Sequence, residues 1–569
     1  MKWNLPEQKD KNFVDFIYST RKVSGDRVFF YPKIEDLESP LLIHNAEKAA
    51  KVIINAIEKK QKIYIHGDFD VDGITATSIM WNYLFRDLGA NVLPHIPNRF
   101  TDGYGLNKET IEKIISEGGN LIISVDCGVK DIELVDKYAD TIDFIITDHH
   151  TIREVSKSEA RNKKSKKNNE SLPEGSKLVG NYIISSRAKA VVHPKLGVGF
   201  NEYCGAGVSW KLCCAINELN VKKVDMSKYL DLVALGTVCD IMPLEDQNRT
   251  IVKLGIDKMR RTENIGIKAL LQKADVLLSS ITEYTLGFVI GPRLNASGRL
   301  ESALDAVRLL TTTSEDFAKQ LADKLNNLNL QRQGLTKEYL AIAEQDLLSQ
   351  GEKKIYFLYG KEWPEGIVGL ISGRLTEKYN RPTIVGSLLE DGNIKASARS
   401  IEGFHISNAL KDTDKYLIRY GGHAQAAGLT LASTDYAKFM EALSSVADKH
   451  IKEKHLEKAI NIDAVAKFDE INIENISKLL SLSPFGNSNP LPKIALLNVD
   501  ISDFKTMGKD GSHIKIVFPE YGFEAVGFNL ANEFNGLDSP LLDLAGSLEI
   551  NTWNNKQTPF FKINHWRKS

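Results

Sequence analysis

The chain has 569 residues, of which 42% are hydrophobic and 26% charged, and its formal net charge is -1. This length exceeds what one hydrophobic core usually supports, so we expect at least two domains. The balanced charge excludes a globally basic nucleic-acid binder but is compatible with a locally basic groove. No apolar run reaches the ~18 residues of a membrane helix, and the N-terminus lacks the apolar region of a signal peptide. We therefore expect a cytoplasmic protein without membrane contacts.

The chain contains five cysteines. Their odd number and the absence of a CxxC pair argue against a disulfide framework and against a zinc ribbon. We expect reduced thiols, most of them buried.

Short apolar runs alternate with helical patterns from about residue 60 onward. KIYIHGD, LIISVDCG and DFIITDHH are typical of strands, whereas TATSIMWNYLFRDLG and NKETIEKIISEGG have helical spacing. This alternation predicts βαβ units, with a parallel sheet and helices on both faces. Acidic residues follow three of the strands, at Asp68 onward, Asp126 and Asp148. Because ligands bind outside the carboxyl ends of such strands, we expect these carboxylates to meet in one crevice.

A lysine-rich segment follows, residues 153–170, with the sequence REVSKSEARNKKSKKNNE. It has almost no large apolar residues, which predicts a solvated surface loop or a disordered insertion. An arm that touches DNA is the alternative.

Apolar residues recur at helical spacing after Ser314, at Phe317, Leu321, Leu325 and Leu328 and on toward Ile342. The pattern predicts one long helix that connects two lobes and ends near Gln350 and Gly351.

A second α/β pattern runs from KKIYFLYG to AKFMEALSSVADKH. After residue 455 the chain becomes rich in β-branched and aromatic residues, as in SHIKIVF, EAVGFNL and FFKINHW. Several short strands separated by turn signals predict a small barrel or sandwich. Its aromatic residues are candidates for base stacking, although most of them are expected in the core; they are Phe518, Phe523, Trp553, Phe560 and Trp566.

The stretch HGDFDVDG (66–73) raises the main chemical question, because three closely spaced aspartates repel one another unless a cation offsets them. Further carboxylate and imidazole groups stand in SVDCG, TDHH and TVCDIMP. Oxygen and nitrogen donors without cysteine suit Mn²⁺ or Mg²⁺, and two ions about 3.5–4 Å apart would support in-line phosphoryl displacement. The set comprises His66, Asp70, Asp72, Asp126, Asp148, His149, His150 and Asp240.

The same aspartates also begin a calcium-loop pattern. The position that requires the closing glutamate is Ile79, and a strand precedes the motif, so a calcium loop is disfavoured. Each histidine taken alone is as compatible with a core or helix-capping role as with metal binding.

Residues suited to phosphate occur in GPRLNASGRLE, KASARS and YGGHAQAAG. Guanidinium groups and closely approaching backbone N–H groups are typical phosphate ligands. The candidates are Arg293, Arg299, Ser397, Arg399 and His423. Arginines at helix ends and a glycine turn needed only for backbone geometry are the alternative.

Together these motifs resemble the DHH phosphoesterase superfamily and, within it, the RecJ family of bacterial single-strand DNA exonucleases. TDHH and HGDFDVDG mark the superfamily, whereas PNRFTDGYGL, RLNASGR and SPFGNSNPLP are more specific to RecJ. The sequence departs from the family pattern in the length of its lysine-rich insertion and at His193, where an asparagine is usual.

The resemblance implies an α/β fold with a parallel-sheet DHH domain, a long connecting helix, a second α/β DHH-associated domain and a C-terminal OB-fold β-barrel. The corresponding segments are a terminal extension 1–48, the catalytic domain 49–312, the helix 313–351, the associated domain 352–455 and the OB-fold 456–569.

The resemblance also implies degradation of single-stranded DNA from 5′ to 3′ into mononucleotides, in recombination and repair, with Mn²⁺ or Mg²⁺. It implies metal ligands at Asp70, Asp72, Asp126, His149 and Asp240, with His66 as a ligand in related phosphoesterases. It places phosphate contacts at His150, Arg293, Ser397, Arg399 and His423. A helicase and a single-strand-binding protein are the expected partners, and a monomer is the expected state.

Two other functions stay open. One is a DHH enzyme for short oligonucleotides, cyclic dinucleotides or pyrophosphate, against which the extra C-terminal domain argues. The other is a non-catalytic scaffold for single-stranded DNA, which the intact acidic and histidine motifs disfavour.

Overall fold

The computed structural model describes residues 2–8, 11–99, 101–155, 174–535, 537, 541–553 and 556–569. The chain forms two compact units, one of residues 25–329 and 482–491 and the other of residues 1–24, 330–481 and 492–569. In the described part of the chain, no helix combines the length and the apolarity needed to cross a membrane. The predicted lysine-rich loop 153–170 lies, from residue 156 onward, outside the described residues.

The central sheet of the first unit is parallel, as the alternating pattern predicts. Its strands, from one edge to the other, are Val92–His95, Ile63–Gly67, Leu121–Val125, Asp143–Thr147 and Ala190–Val192. The strands Ile63–Gly67 and Leu121–Val125 are buried along their whole length, as expected for strands covered on both faces. The carboxyl ends of all these strands therefore lie at the same edge.

Helices cover this sheet. Two of them, Val71–Trp81 and Leu230–Cys239, are buried on every side along most of their length, which is typical of helices inside a core. Further helices are Ala46–Glu58, Lys108–Ser116, Ile132–Tyr138, Gly205–Leu219, Asp246–Met259, Ile265–Lys273, Gly291–Leu300 and Leu304–Thr311.

The predicted long helix is present as Glu315–Ser349. The boundary between the two units falls within it, after Asn329.

The predicted second α/β region has a mixed sheet. Its strands are, in spatial order, Arg419–Gly422, Ala426–Ala432, Asn393–Arg399, Thr383–Leu388 and Tyr356–Lys361. The helices Glu365–Tyr379 and Tyr436–His450 belong to the same region.

The C-terminal residues form the predicted β domain. Its strands are, in spatial order, Ala464–Val465, Ile494–Asp500, Leu541–Trp553, Lys556–Lys568, Phe523–Gly527, His513–Phe518 and Lys505–Met507. The pairing register shifts between Leu496 and Val499 and between Ala545 and Gly546, and such irregularities bend a sheet.

The predicted N-terminal extension 1–48 does not behave as one segment, because the boundary between the units falls after Ser24. The strand Lys2–Asn4 pairs in parallel with Ala459–Asn461, and Trp3 packs against Ile460. The sequence pattern did not indicate this strand, since three residues are too few to show a period.

Candidate active site

The three aspartates of the HGDFDVDG motif stand between a strand and a buried helix. Asp70 is the N-cap of the helix Val71–Trp81, and its carboxylate accepts hydrogen bonds from the backbone N of Asp72 (3.0 Å) and of Gly73 (3.1 Å). Helix N-termini favour aspartate at this position because their first N–H groups lack partners within the helix. Asp68 is 4% exposed and accepts a hydrogen bond from the N–H of Phe69. The turn thus holds both carboxylates in defined positions.

Asp72 is held by the start of a second helix. Its carboxylate accepts hydrogen bonds from the backbone N of Gly205 (2.5 Å) and of Ala206 (2.8 Å), at the beginning of Gly205–Leu219. The positive end of a helix dipole favours an anion at this place.

Asp126 follows the strand Leu121–Val125 with a φ of 62°, in the left-handed region. Aspartate enters this region more readily than most residues. A Cβ at Gly205 would lie only 2.4 Å from the Cβ of Asp126, so glycine is required where the helix approaches this carboxylate.

His149 lies at the centre of the carboxylates. Its Nε2 is 3.1 Å from Oδ1 of Asp126, 3.5 Å from Oδ2 of Asp240 and 3.7 Å from Oδ2 of Asp72. Asp240 is the C-cap of the helix Leu230–Cys239. Three carboxylates from different parts of the sequence therefore converge on one imidazole nitrogen.

The donor atoms form groups whose ligand atoms lie within 4.8 Å of one another. These groups are Asp126, His149 and His150; Asp72, His149 and Asp240; and Asp68, Asp70 and Asp126. Among the described residues, both carboxylate oxygens of Asp126 and Nε2 of His149 are buried without a hydrogen-bond partner. Buried polar atoms are rarely left without a partner, so these atoms fit a site for a cation, and carboxylate and imidazole donors suit Mn²⁺ or Mg²⁺.

The electrostatics of the cluster also fit a site for a cation. Burial raises the pKa of Asp126 far above its usual value, and the charges of Asp72 and Asp70 raise it further. Burial and the same neighbouring carboxylates raise the pKa of Asp240 to about 9. Burial lowers the pKa of His149, which favours the neutral imidazole that binds metals. A divalent cation would stabilise the ionised carboxylates.

Asp148 supports the two histidines. The sequence placed it in the predicted crevice, but it was not among the predicted metal ligands. Its Oδ1 accepts hydrogen bonds from the backbone N of His149 (2.8 Å) and from Nδ1 of His150 (2.8 Å), and its Oδ2 accepts one from the N–H of Val129. Burial raises the pKa of Asp148, but the bond and charge of His150 outweigh it and the net pKa is lowered. For His150, burial lowers the pKa, and Asp148 reverses this to a net rise.

His66 was expected among the metal ligands, but it lies outside the groups described above. Its Nε2 is 3.1 Å from the carbonyl oxygen of Gly105, and its ring stacks on that of His95 with centroids 5.3 Å apart. Burial, with the nearby charge of His95, lowers the pKa of His66 to about 3. These contacts hold the ring of His66 at the loop of Gly105. Its Nδ1 is buried without a hydrogen-bond partner among the described residues, so metal binding by His66 stays a prediction.

His193, where the resemblance led us to expect an asparagine, contacts the backbone of His150. Its Nε2 is 2.9 Å from the carbonyl oxygen of His150, and burial lowers the pKa of His193 to about 4. The imidazole thus makes a hydrogen bond to the backbone of the site.

The predicted phosphate contacts fall in both units. Ser397 and Arg399 share the strand Asn393–Arg399, and Nη1 of Arg399 donates to Oγ of Ser397 (3.0 Å). Arg399 pairs with Ala426, whose carbonyl accepts a hydrogen bond from the N–H of His423 (2.8 Å). The register therefore brings these three residues to the same end of the second sheet.

Arg293 belongs to the unit that carries the carboxylates. Its Nε donates to Oδ1 of Asn326 (3.1 Å), and its Nη1 donates to the carbonyl of Val289 (2.8 Å). These bonds fix the guanidinium within its own unit, and burial lowers its pKa.

Sequence reasoning left two acidic site residues, Asp68 and Asp148, out of the predicted ligands and catalytic residues. Both stand directly after a strand, and this position had already placed them in the predicted crevice, although neither was assigned a role there.

Comparison with known families gives matches along most of the chain. The N-terminal domain of the DHH family matches residues 62–237, the DHHA1 domain matches 351–453, and the RecJ OB domain matches 462–565. The parallel sheet with its acidic and histidine cluster therefore defines a protein of the DHH class.

Similar proteins narrow this class. The single-stranded-DNA-specific exonuclease RecJ of Haemophilus influenzae is 31% identical over 567 residues, which cover 95% of this chain and 93% of that protein. The protein of the same name from Bacillus subtilis is 33% identical, and this chain spans 65% of its length. The chain belongs to the RecJ family.

Solved structures share the fold. A crystal structure of RecJ from Thermus thermophilus in complex with Mn²⁺ matches this chain with a TM-score of 0.82 and 24% sequence identity. The match covers 100% of this chain and 80% of the Thermus chain. A crystal structure of exonuclease RecJ bound to manganese matches with a TM-score of 0.59 and 29% sequence identity. This match covers 72% of this chain and 95% of the chain in that structure. The predicted fold class is confirmed.

Proposed function

We propose that this protein is a metal-dependent exonuclease that degrades single-stranded DNA from 5′ to 3′ into mononucleotides, in recombination and repair. The observation that carries the proposal is the set of buried donor atoms without hydrogen-bond partners at Asp126 and His149, in a member of the RecJ family. The 5′ to 3′ polarity rests on family membership.

Asp70, Asp72, Asp126, His149 and Asp240 are the proposed ligands of Mn²⁺ or Mg²⁺, and Asp68 joins them. When bound, such a cation neutralises charge on a phosphate and lowers the pKa of water. The protein contributes the fixed geometry, since Asp70 caps one helix and Asp72 is bound by the start of another.

His150 is proposed to contact the substrate phosphate. Its Nδ1 is held by Asp148, and the raised pKa favours a protonated ring that donates hydrogen bonds to an anion. Asp148 is thus a positioning residue. Arg293, Ser397, Arg399 and His423 are the further proposed phosphate contacts.

Replacing Arg399 with alanine should lower kcat/KM on single-stranded DNA. The guanidinium is held by Ser397 and by the carbonyl of Ala398 (2.9 Å), and loss of one hydrogen bond to a charged group corresponds to about 10- to 100-fold. Steady-state kinetics measure the effect. Lys395→Ala, on the same strand, is the matched control and should keep near-normal kcat/KM; equal losses in both variants would refute a specific role for Arg399.

The C-terminal β domain is proposed to bind the strand beyond the scissile phosphate. Phe528 is 46% exposed, lies edge-on to His513 at 5.2 Å and has Nζ of Lys562 5.9 Å from its ring centroid. An exposed ring next to a cation suits a nucleobase and its phosphate. Of the earlier candidates, Phe523 is 1% exposed and belongs to the core, and half-buried Phe518 stacks on it.

Phe528→Ala should weaken binding of a long single strand about 10-fold, the effect of losing one base stack. Fluorescence anisotropy in EDTA measures binding without hydrolysis. Val517→Ala, another exposed apolar residue of this domain, should bind normally. Cleavage of a trinucleotide should be unaffected by Phe528→Ala, and an equal loss on short and long strands would indicate a purely structural role.

We also propose a cytoplasmic monomer that receives its substrate from a helicase and shares it with a single-strand-binding protein. The proposed partners follow from the kind of substrate, because single strands are produced by unwinding. The monomeric state rests on family membership, and the cytoplasmic location on the sequence pattern described above.

The test of the function is hydrolysis of an internally labelled single strand with its 5′ or its 3′ end blocked, in Mn²⁺ or in EDTA, beside a blunt duplex. We expect mononucleotides only with Mn²⁺, arrest only by the 5′ block, and an intact duplex. If long strands survive while dinucleotides or pyrophosphate are cleaved, the substrate assignment is wrong. Binding of single strands without cleavage would support the alternative function, a non-catalytic scaffold for single-stranded DNA.

A further inference from the structure

The helix that carries Asp240 ends in a left-handed turn occupied by an isoleucine. The N–H of Ile241 donates to Val238 (3.2 Å) and that of Met242 donates to Thr237 (3.2 Å), the pattern of a Schellman motif. Ile241 has a φ of 56°. Glycine is usual at this position, and a β-branched residue there is strained. The surroundings must therefore stabilise the turn.

The side chain of Ile241 is 70% exposed, so its packing does not provide this stabilisation. The stabilising contact comes from Asn487. Its side-chain Nδ2 donates to the carbonyl oxygen of Ile241 (2.9 Å), and its backbone carbonyl accepts a hydrogen bond from the N–H of Leu244 (2.8 Å). Asn487 thus holds both ends of the segment that follows Asp240.

The segment 482–491, here called the strut, is itself firmly held. Arg249, which is 3% exposed, donates to the carbonyls of Ser483 (2.9 Å) and Pro484 (3.3 Å). Glu283 accepts hydrogen bonds from the N–H of Phe485 (3.0 Å) and from Oγ of Ser483 (3.1 Å). Two charged residues of the unit that carries the carboxylates therefore fix the strut.

The strut also has internal order. Nδ2 of Asn489, a residue that is 5% exposed, donates to the carbonyls of Leu482 (2.9 Å) and Pro484 (2.8 Å). In sequence the strut lies within the RecJ OB match 462–565, yet it folds with residues 25–329. The strut contains all but the last residue of the SPFGNSNPLP motif, and neither metal binding nor phosphate binding accounts for this motif.

We propose that Asn487 is a positioning residue for the metal centre: it holds the strained turn at Ile241 and so fixes the direction in which Asp240 presents its carboxylate. The inference rests on the proposed function, since it takes Asp240 as a metal ligand. Outer residues that orient ligands commonly affect metal affinity without touching the metal.

The test is titration of Mn²⁺ alone into the full-length chain by calorimetry. Asn487→Ala should weaken Mn²⁺ binding about three- to tenfold, as expected for one exposed hydrogen bond. Ser488→Ala, the adjacent exposed residue of the strut, is the matched control and should bind normally. Amide hydrogen exchange at residues 241–244 should become faster in Asn487→Ala.

A rescue variant separates positioning from general destabilisation. Glycine adopts the left-handed conformation without strain, so Ile241→Gly added to Asn487→Ala should restore most of the Mn²⁺ affinity. Unchanged affinity and exchange in Asn487→Ala, or a loss that Ile241→Gly does not relieve, would overturn the inference. If the unmodified protein binds Mn²⁺ but does not hydrolyse single strands, the proposed function fails, while the titration still decides the role of Asn487.

Discussion

We expect Asp126→Asn to lower kcat on single-stranded DNA by about a thousandfold, while the chain stays folded. Asp126 contributes to two of the donor groups, and both of its oxygens are buried without a hydrogen-bond partner among the described residues. Asparagine keeps the shape and tolerates the φ of 62°, but it removes the negative charge. Loss of about 4 kcal/mol of charge stabilisation corresponds to this factor.

The measurement is kcat at saturating Mn²⁺, together with DNA binding by anisotropy, which should be retained. Asp231→Asn is the matched control, since Asp231 is 4% exposed and bonds Thr262 instead of the cluster. It should keep near-normal turnover. Asp126→Ala should also be inactive, and near-normal hydrolysis in either Asp126 variant would refute the site.

Gly205→Ala should lower kcat about a hundredfold, the effect of displacing catalytic groups by about 1 Å. The new Cβ would lie 2.4 Å from Cβ and 2.6 Å from Cγ of Asp126, distances that no side chain accommodates. The same residue donates its N–H to Asp72. The substitution therefore moves two proposed ligands without removing any of them.

Gly207→Ala, two residues later in the same helix, is the control. Its Cβ would meet only the side chain of Tyr203, at 3.3 Å, so hydrolysis and Mn²⁺ affinity should stay close to those of the unmodified protein. Thermal unfolding should show both variants folded. If the two substitutions reduce activity equally, helix stability accounts for the effect and the close approach to Asp126 does not.

The sequence by itself predicted the parallel sheet, the long helix and the C-terminal β domain. Each depends on a local period, such as the buried run of Leu121–Val125 or the helical spacing through Glu315–Ser349. The position of Asp126 and His149 after strands was equally readable, because the carboxyl ends of parallel strands share an edge.

The donor set was less predictable in detail. His66 has the residue type and spacing of a ligand, yet its ring stacks on His95, whereas Asp68 joins a donor group. The direction of a side chain after a strand depends on the conformation of the turn and on the residues packed around it. A sequence pattern contains neither.

Tertiary structure alone decided the contacts between distant residues. The strand Lys2–Asn4 finds its partner at Ala459–Asn461, and Asn487 bonds Ile241 across 246 residues of sequence. Residue periods report which face of an element is buried, because burial follows from local alternation. They carry no record of which distant backbone group meets which side chain, because that depends on how the packed elements bring their loops together.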